Sequence, residues 1–140
     1  MAEYTNIELQ TVAAGQNVRF DERPIYGSPG ITHRDGAGIV RLRGAINQRR
    51  ALYKVSFGGN IQIPTGGTVG EISIALAVDG ETLGSATAIA TPTAVETFVP
   101  VYISAIVEAV CGCCATVAVE NISTQAIEVQ NANLIVERIA

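Results

Sequence analysis

Charge is scarce in this 140-residue chain: 16% of its residues are charged, with one lysine, Lys54, and one histidine, His33. Soluble domains usually carry roughly 25%. So few charges cover a monomer's surface poorly, and part of the apolar surface is expected to lie against another molecule. The net charge is −4, and the arginines are scattered except for Arg41, Arg43, Arg49 and Arg50. That distribution excludes a surface that tracks phosphates, so no nucleic-acid partner is expected. Tryptophan is absent and the four tyrosines are dispersed, which leaves no sugar-stacking platform. No segment reaches the roughly 20 uninterrupted apolar residues of a membrane span. The stretch Met1-Ala2-Glu3-Tyr4-Thr5-Asn6 lacks the basic and apolar parts of a secretion signal, so synthesis in the cytoplasm without membrane insertion is the expectation.

Reactive constellations are missing too. The three cysteines, Cys111, Cys113 and Cys114, sit in one tetrapeptide, and their odd number excludes complete intrachain pairing. Zinc prefers four thiolate or imidazole ligands, commonly as two separated pairs, and the sole histidine is distant in sequence. The cysteines read either as small buried hydrophobes or as groups that meet their symmetry mates across an oligomer axis. His33 has no Gly-x-Ser-x-Gly nucleophile to serve, and it reads as a residue flanking a turn, open to tuning an interface with pH. The carboxylates of Asp21, Glu22 and Asp35, or of Glu71, Asp79 and Glu81, lack the loop spacing of a calcium site. No enzyme, metal or cofactor is expected.

What is present is alternation. Hydrophobic residues make up 48% of the chain. One domain of this length buries roughly two thirds of the surface its unfolded chain exposes. From Gly70 to Ala140, apolar segments alternate and are separated by turn residues. In Glu71–Val78, Ile72, Ile74, Leu76 and Val78 share one face while Ser73, Ala75 and Ala77 line the other, where small side chains leave room for a neighbour. Tyr53, Val55 and Phe57 likewise share a face before Gly58-Gly59, a pair that signals a bulge or a close backbone approach. Short strands are predicted at Asn17–Phe20, Ile31–Arg34 and Ala37–Gly44, with a loop over Pro24–Gly30 and hairpins at Asp35-Gly36 and Asp79-Gly80. Further strands are predicted at Thr97–Val110, Cys113–Asn121 and Ala126–Ile139, with Pro92 and Pro100 confined to ends or edges. The spacing predicts an all-β fold: an antiparallel two-sheet jelly-roll sandwich of about eight to ten strands. The domain spans residues 17–140, preceded over 1–16 by a short N-terminal arm or edge strand.

Several of these segments carry a resemblance. Asn17-Val18-Arg19-Phe20, Ile31 to Leu42 and Tyr53 to Ile61, followed by Ile72 to Gly80, Cys114 to Asn121 and Leu134 to Ile139, resemble the strand order of the trimeric jelly roll. That jelly roll is shared by tumour-necrosis-factor-like domains, complement-type globular heads and spore-surface glycoprotein tips. Thr124 to Arg138 is similar to small proteins of tailed bacteriophages. The resemblance covers residues 17 to 140 and implies a noncatalytic virion component, a homotrimer decorating the capsid or forming a head fibre. Tyr53, Val55, Phe57, Ala75, Ala77, Cys111, Cys113 and Cys114 are then the candidates for the oligomer interface. Tyr4, Ile7 and Leu9 are the candidates for an arm that docks on a capsid or other virion protein. The alternative is a carbohydrate- or receptor-binding tip of a phage fibre or bacterial surface assembly, with surface glycans met by Pro24–Gly30 and Ala45–Arg50.

Overall fold

The computed structural model describes residues 1–25, 30–34, 36–43, 50–110 and 114–140, with the side chains of residues 50, 110 and 114 left aside. The chain is all-β, with eleven strands and no helix among the described residues. They are β1 (Ala2–Asn6), β2 (Gln10–Val12), β3 (Glu22–Ile25), β4 (Ile31–His33), β5 (Val40–Arg43), β6 (Arg50–Gln62), β7 (Ile72–Val78), β8 (Glu81–Ala90), β9 (Val99–Val110), β10 (Cys114–Asn121) and β11 (Ile127–Arg138). One six-stranded sheet has the order β3-β1-β11-β6-β9, with β2 also paired to β11, and a five-stranded sheet has the order β4-β5-β10-β7-β8. The described strand pairs are antiparallel. The chain crosses between sheets after β3, β5, β6, β8, β9 and β10, which is the winding of a jelly roll.

Alternation explains the core. Tyr4, Leu42, Tyr53, Val55, Phe57, Ile72, Ile74, Leu76, Val117, Val119, Leu134 and Val136 point from both sheets into one continuous apolar layer. Phe20 meets Phe57 edge to face, with ring centroids 6.3 Å apart. Long strands such as β6 and β9 are held in register over Arg50–Ile61, and β6 pairs with β11 on its other side. The irregularity near Gly58-Gly59 lies on β11, between Gln130 and Asn133, where Asn131 has φ 58°. Gly59 lets β6 pass close to it, since a Cβ there would stand 3.3 Å from the Phe57 ring and 3.5 Å from the Ala132 backbone. Asp79-Gly80 closes β7 on β8 with φ of 53° and 86°, the paired positive values of a tight hairpin turn.

Three expectations change. Residues 2–12 are not a free arm: β1 lies inside its sheet between β3 and β11, and β2 continues along β11. The reason is burial, because Ala2, Tyr4 and Val12 fill the core and detaching them would return that area to water. Asn17–Phe20 forms no strand. It is a linker tied by an isolated bridge from Asn17 to Glu120 and by Val18 N donating to Val119 O, with Val18 and Phe20 turned inward. Pro24 and Ile25 belong to β3, an edge strand where a missing amide donor is tolerated.

Candidate assembly face

The two sheets expose different outer faces, and that of the six-stranded sheet carries the two most protruding large side chains of β9, Tyr102 and Ile106. Its register brings together Tyr102, Ser104, Ile106 and Glu108 on β9, Leu52, Lys54, Ser56 and Gly58 on β6, Asn133, Ile135 and Glu137 on β11, and Glu3 and Thr5 on β1. Gly58 opposite Tyr102 and Ser56 opposite Ser104 keep the middle low. Tyr102 and Ile106 stand above it, 65% and 62% exposed. The Tyr102 hydroxyl donates to Ser56 Oγ at 3.2 Å, which fixes the ring across the face. Hydrogen bonding, first from Ser56 and then from Ser104, holds the Tyr102 phenol below its ordinary value of 10.0. Lys54 on β6 stands directly opposite Ile106 and pairs with Glu137 on its other side, and Glu108 stands opposite Leu52, so both signs of charge lie within the face. With twelve residues in β9 at about 3.4 Å each and five strands about 4.8 Å apart, the face measures on the order of 800 Å².

The residues proposed from sequence as the interface lie elsewhere. Tyr53, Val55 and Phe57 face the opposite sheet and are fully buried within one protomer, so they have no area left to give a partner. Tyr53 donates to the Arg43 carbonyl oxygen at 2.6 Å, linking the sheets, and burial raises its phenol above 10.0 against a smaller lowering by Arg138. Ala75 and Ala77 do occupy the outer face of the five-stranded sheet. They are already covered, Ala77 being 4% exposed, because their cross-strand neighbours Glu120, Thr87, Ala118 and Thr82 are as tall or taller. Cys111 and Cys113 lie outside the described residues, as does the side chain of Cys114 at the start of β10. Tyr4 is a core residue, whereas Ile7 and Leu9 protrude at the bend between β1 and β2, 56% and 47% exposed.

His33 seats its ring against Tyr4, with centroids 4.4 Å apart, and its Nε2 lies 2.8 Å from the Ala37 carbonyl oxygen, closing the β4–β5 hairpin. Tyr102 and Ile106 were not found by sequence reasoning. The signal was available: besides the apolar face of Val99, Val101, Ile103, Ala105 and Val107, the strand sets Tyr102 and Ile106 on its other face, beside Ser104 and Glu108.

Comparison with protein-family descriptions and with curated protein sequences finds no match. Comparison of structures does. The chain is similar to the globular domain of the zebrafish complement 1qA protein, with TM-score 0.56 and 11% identity over 96% of this chain and 94% of that one. It is similar to PRD1 vertex protein P5, with TM-score 0.52 and 14% identity over 99% and 97%. Murine APRIL, from a crystal structure at pH 5.0, gives TM-score 0.57 and 12% identity over 95% and 97%. The domain is therefore a jelly roll of the kind found in tumour-necrosis-factor-like and complement-head proteins, as its strand order implied.

Proposed function

We propose that this protein is a noncatalytic structural component of a virion surface, a jelly roll that assembles as a homotrimer through the outer face of its six-stranded sheet. The observation that carries the reading is the exposure of Tyr102 and Ile106 on β9, at one edge of this sheet. The face offers the roughly 800 Å² per partner of a standard interface. Its exposed tyrosine is of a residue type enriched in such interfaces. Three-fold order is what the likeness to the tumour-necrosis-factor-like jelly roll implies, and the likeness to a vertex protein supports a virion location. Ile7 and Leu9, protruding from the bend beside the sheet, are the residues proposed to contact the particle.

Ile106→Glu tests the assembly. Analytical ultracentrifugation at micromolar concentration should find trimers for the unmodified chain and monomers with an unchanged circular dichroism spectrum for the variant. A monomer in both cases refutes the assembly, and a dimer refutes its symmetry.

A further inference from the structure

On the other sheet, the β4–β5 hairpin builds a second surface of different chemistry. Thr32 pairs with Arg41 across the hairpin, and Arg34 and Ala37 follow in its turn. Together with His33 and Ile39 these residues line an open depression of about 450 Å³. Arg34 and Arg41 are exposed, and neither meets a carboxylate among the described residues. Asp79 Oδ1 accepts from Thr116 N at 2.9 Å on the strand beside Arg41, and the Asp21 carboxylate lies near Gly36 in the hairpin turn. Residues 34–50 hold five of the chain's nine basic residues and a single acid, Asp35, although the whole chain is acidic.

Two guanidiniums with no carboxylate partner among the described residues point to an oxyanion, because each presents a planar fork of donors matched to a carboxylate or phosphate. The remaining lining points beyond a bare ion. A free phosphate would leave most of the volume unfilled. Ile39, 47% exposed, and Ala37 add apolar surface to the depression. Thr32 adds a hydroxyl that donates and accepts. The His33 ring is bound to Ala37 O and packs beside Tyr4 and Phe20.

We propose that this depression binds an acidic saccharide, a pyranose carrying a carboxylate. Arg34 and Arg41 hold the carboxylate, Thr32 bonds a ring hydroxyl, and the C–H face of the sugar rests on Ile39. The site is open and mounted on one hairpin, so a single sugar binds with a dissociation constant of about 1 mM, and an array of copies on a particle multiplies that through avidity.

The test is a nuclear magnetic resonance titration of the full chain with sodium glucuronate, galacturonate and N-acetylneuraminate in parallel, and with glucose and inorganic phosphate as comparators. At least one acidic sugar should give saturable shifts of the amides at 31–34 and 37–42. Glucose and phosphate should each bind at least ten-fold more weakly. Arg41→Gln and Arg34→Gln, both at exposed positions, should each weaken the sugar at least ten-fold. Ile39→Ser should weaken the sugar and leave phosphate unchanged. The proposal is overturned if no acidic sugar binds at about 20 mM, if glucose binds equally well, if phosphate matches the sugars, or if Arg41→Gln has no effect. Each outcome is read independently of oligomeric state, which the ultracentrifugation of Ile106→Glu decides separately.

Discussion

Asn121, fully buried at the end of β10, offers a stringent test of how the two sheets are held together. Its Nδ2 donates to the Val12 and Gln125 carbonyl oxygens, each at 3.0 Å, and its Oδ1 accepts from Ser123 N at 2.9 Å. Its backbone also bonds to Gln16 O and Gly15 N. Val12 belongs to β2 and Asn121 to β10, so one side chain joins the six-stranded sheet to the five-stranded one. Asn121→Ala strands a buried carbonyl oxygen at Val12, which costs about 1–3 kcal/mol, and two partly buried partners that water can recover in part, about 0.5–1.5 kcal/mol each. The expected loss is about 2–6 kcal/mol, a large share of the roughly 5–15 kcal/mol that a domain has.

Asn121→Asp sharpens the test because it preserves shape while placing an acceptor against two carbonyl oxygens. At pH 7 it should destabilise more than Asn121→Ala. Its carboxyl would have a folded pKa raised above the ordinary 3.9 or so. The folded state then binds more protons than the unfolded state between those two values, so stability falls as pH rises through that window and recovers toward pH 4. Urea denaturation followed by circular dichroism at fixed protein concentration measures both effects. A loss under about 1 kcal/mol for the alanine variant, or an aspartate variant as stable as the unmodified chain at pH 7, would refute the reasoning.

Two further outcomes are expected. Deleting residues 2–12 removes β1, β2 and the buried Ala2, Tyr4 and Val12, so the product should lack a cooperative melt, and a native-like spectrum with a sharp transition would restore the detachable arm. Burial raises the phenols of Tyr4 and Tyr53 above 10.0, Arg23 opposing the shift at Tyr4 and Arg138 at Tyr53. The unfolded chain therefore loses these protons first as pH rises past 10, and above that pH the urea midpoint should fall, less steeply in Tyr53→Phe, when followed in a Tyr102→Phe background that removes the oppositely shifted phenol; a flat midpoint contradicts this.

Much of the fold was legible because strand periodicity is a local property. The alternation in Glu71–Val78 placed Ile72, Ile74 and Leu76 on a buried face, and Asp79-Gly80 announced its turn through the residue types that tolerate positive φ. The hidden part was the partner of each face. Tyr53, Val55 and Phe57 share a side in any register, but only the opposing sheet makes that side the core of one protomer. The candidate assembly face was hidden for the same reason, since Val99–Val110 sets apolar side chains on one face and Tyr102 and Ile106 on the other. The arginine-lined depression was half visible: Arg41 stood out beside Arg43, yet its functional neighbours are Arg34 and Thr32, which the hairpin folds back to it.

By itself the sequence determined strands and turns, since these depend on side-chain type and on a spacing of two residues. Tertiary structure alone decided that residues 2–12 are sheet rather than arm, and that Tyr102 and Ile106 face outward while Tyr53 and Phe57 do not. The physical reason is that a strand's pattern sorts its side chains into two faces, while long-range pairing and sheet stacking decide which of those faces meets water.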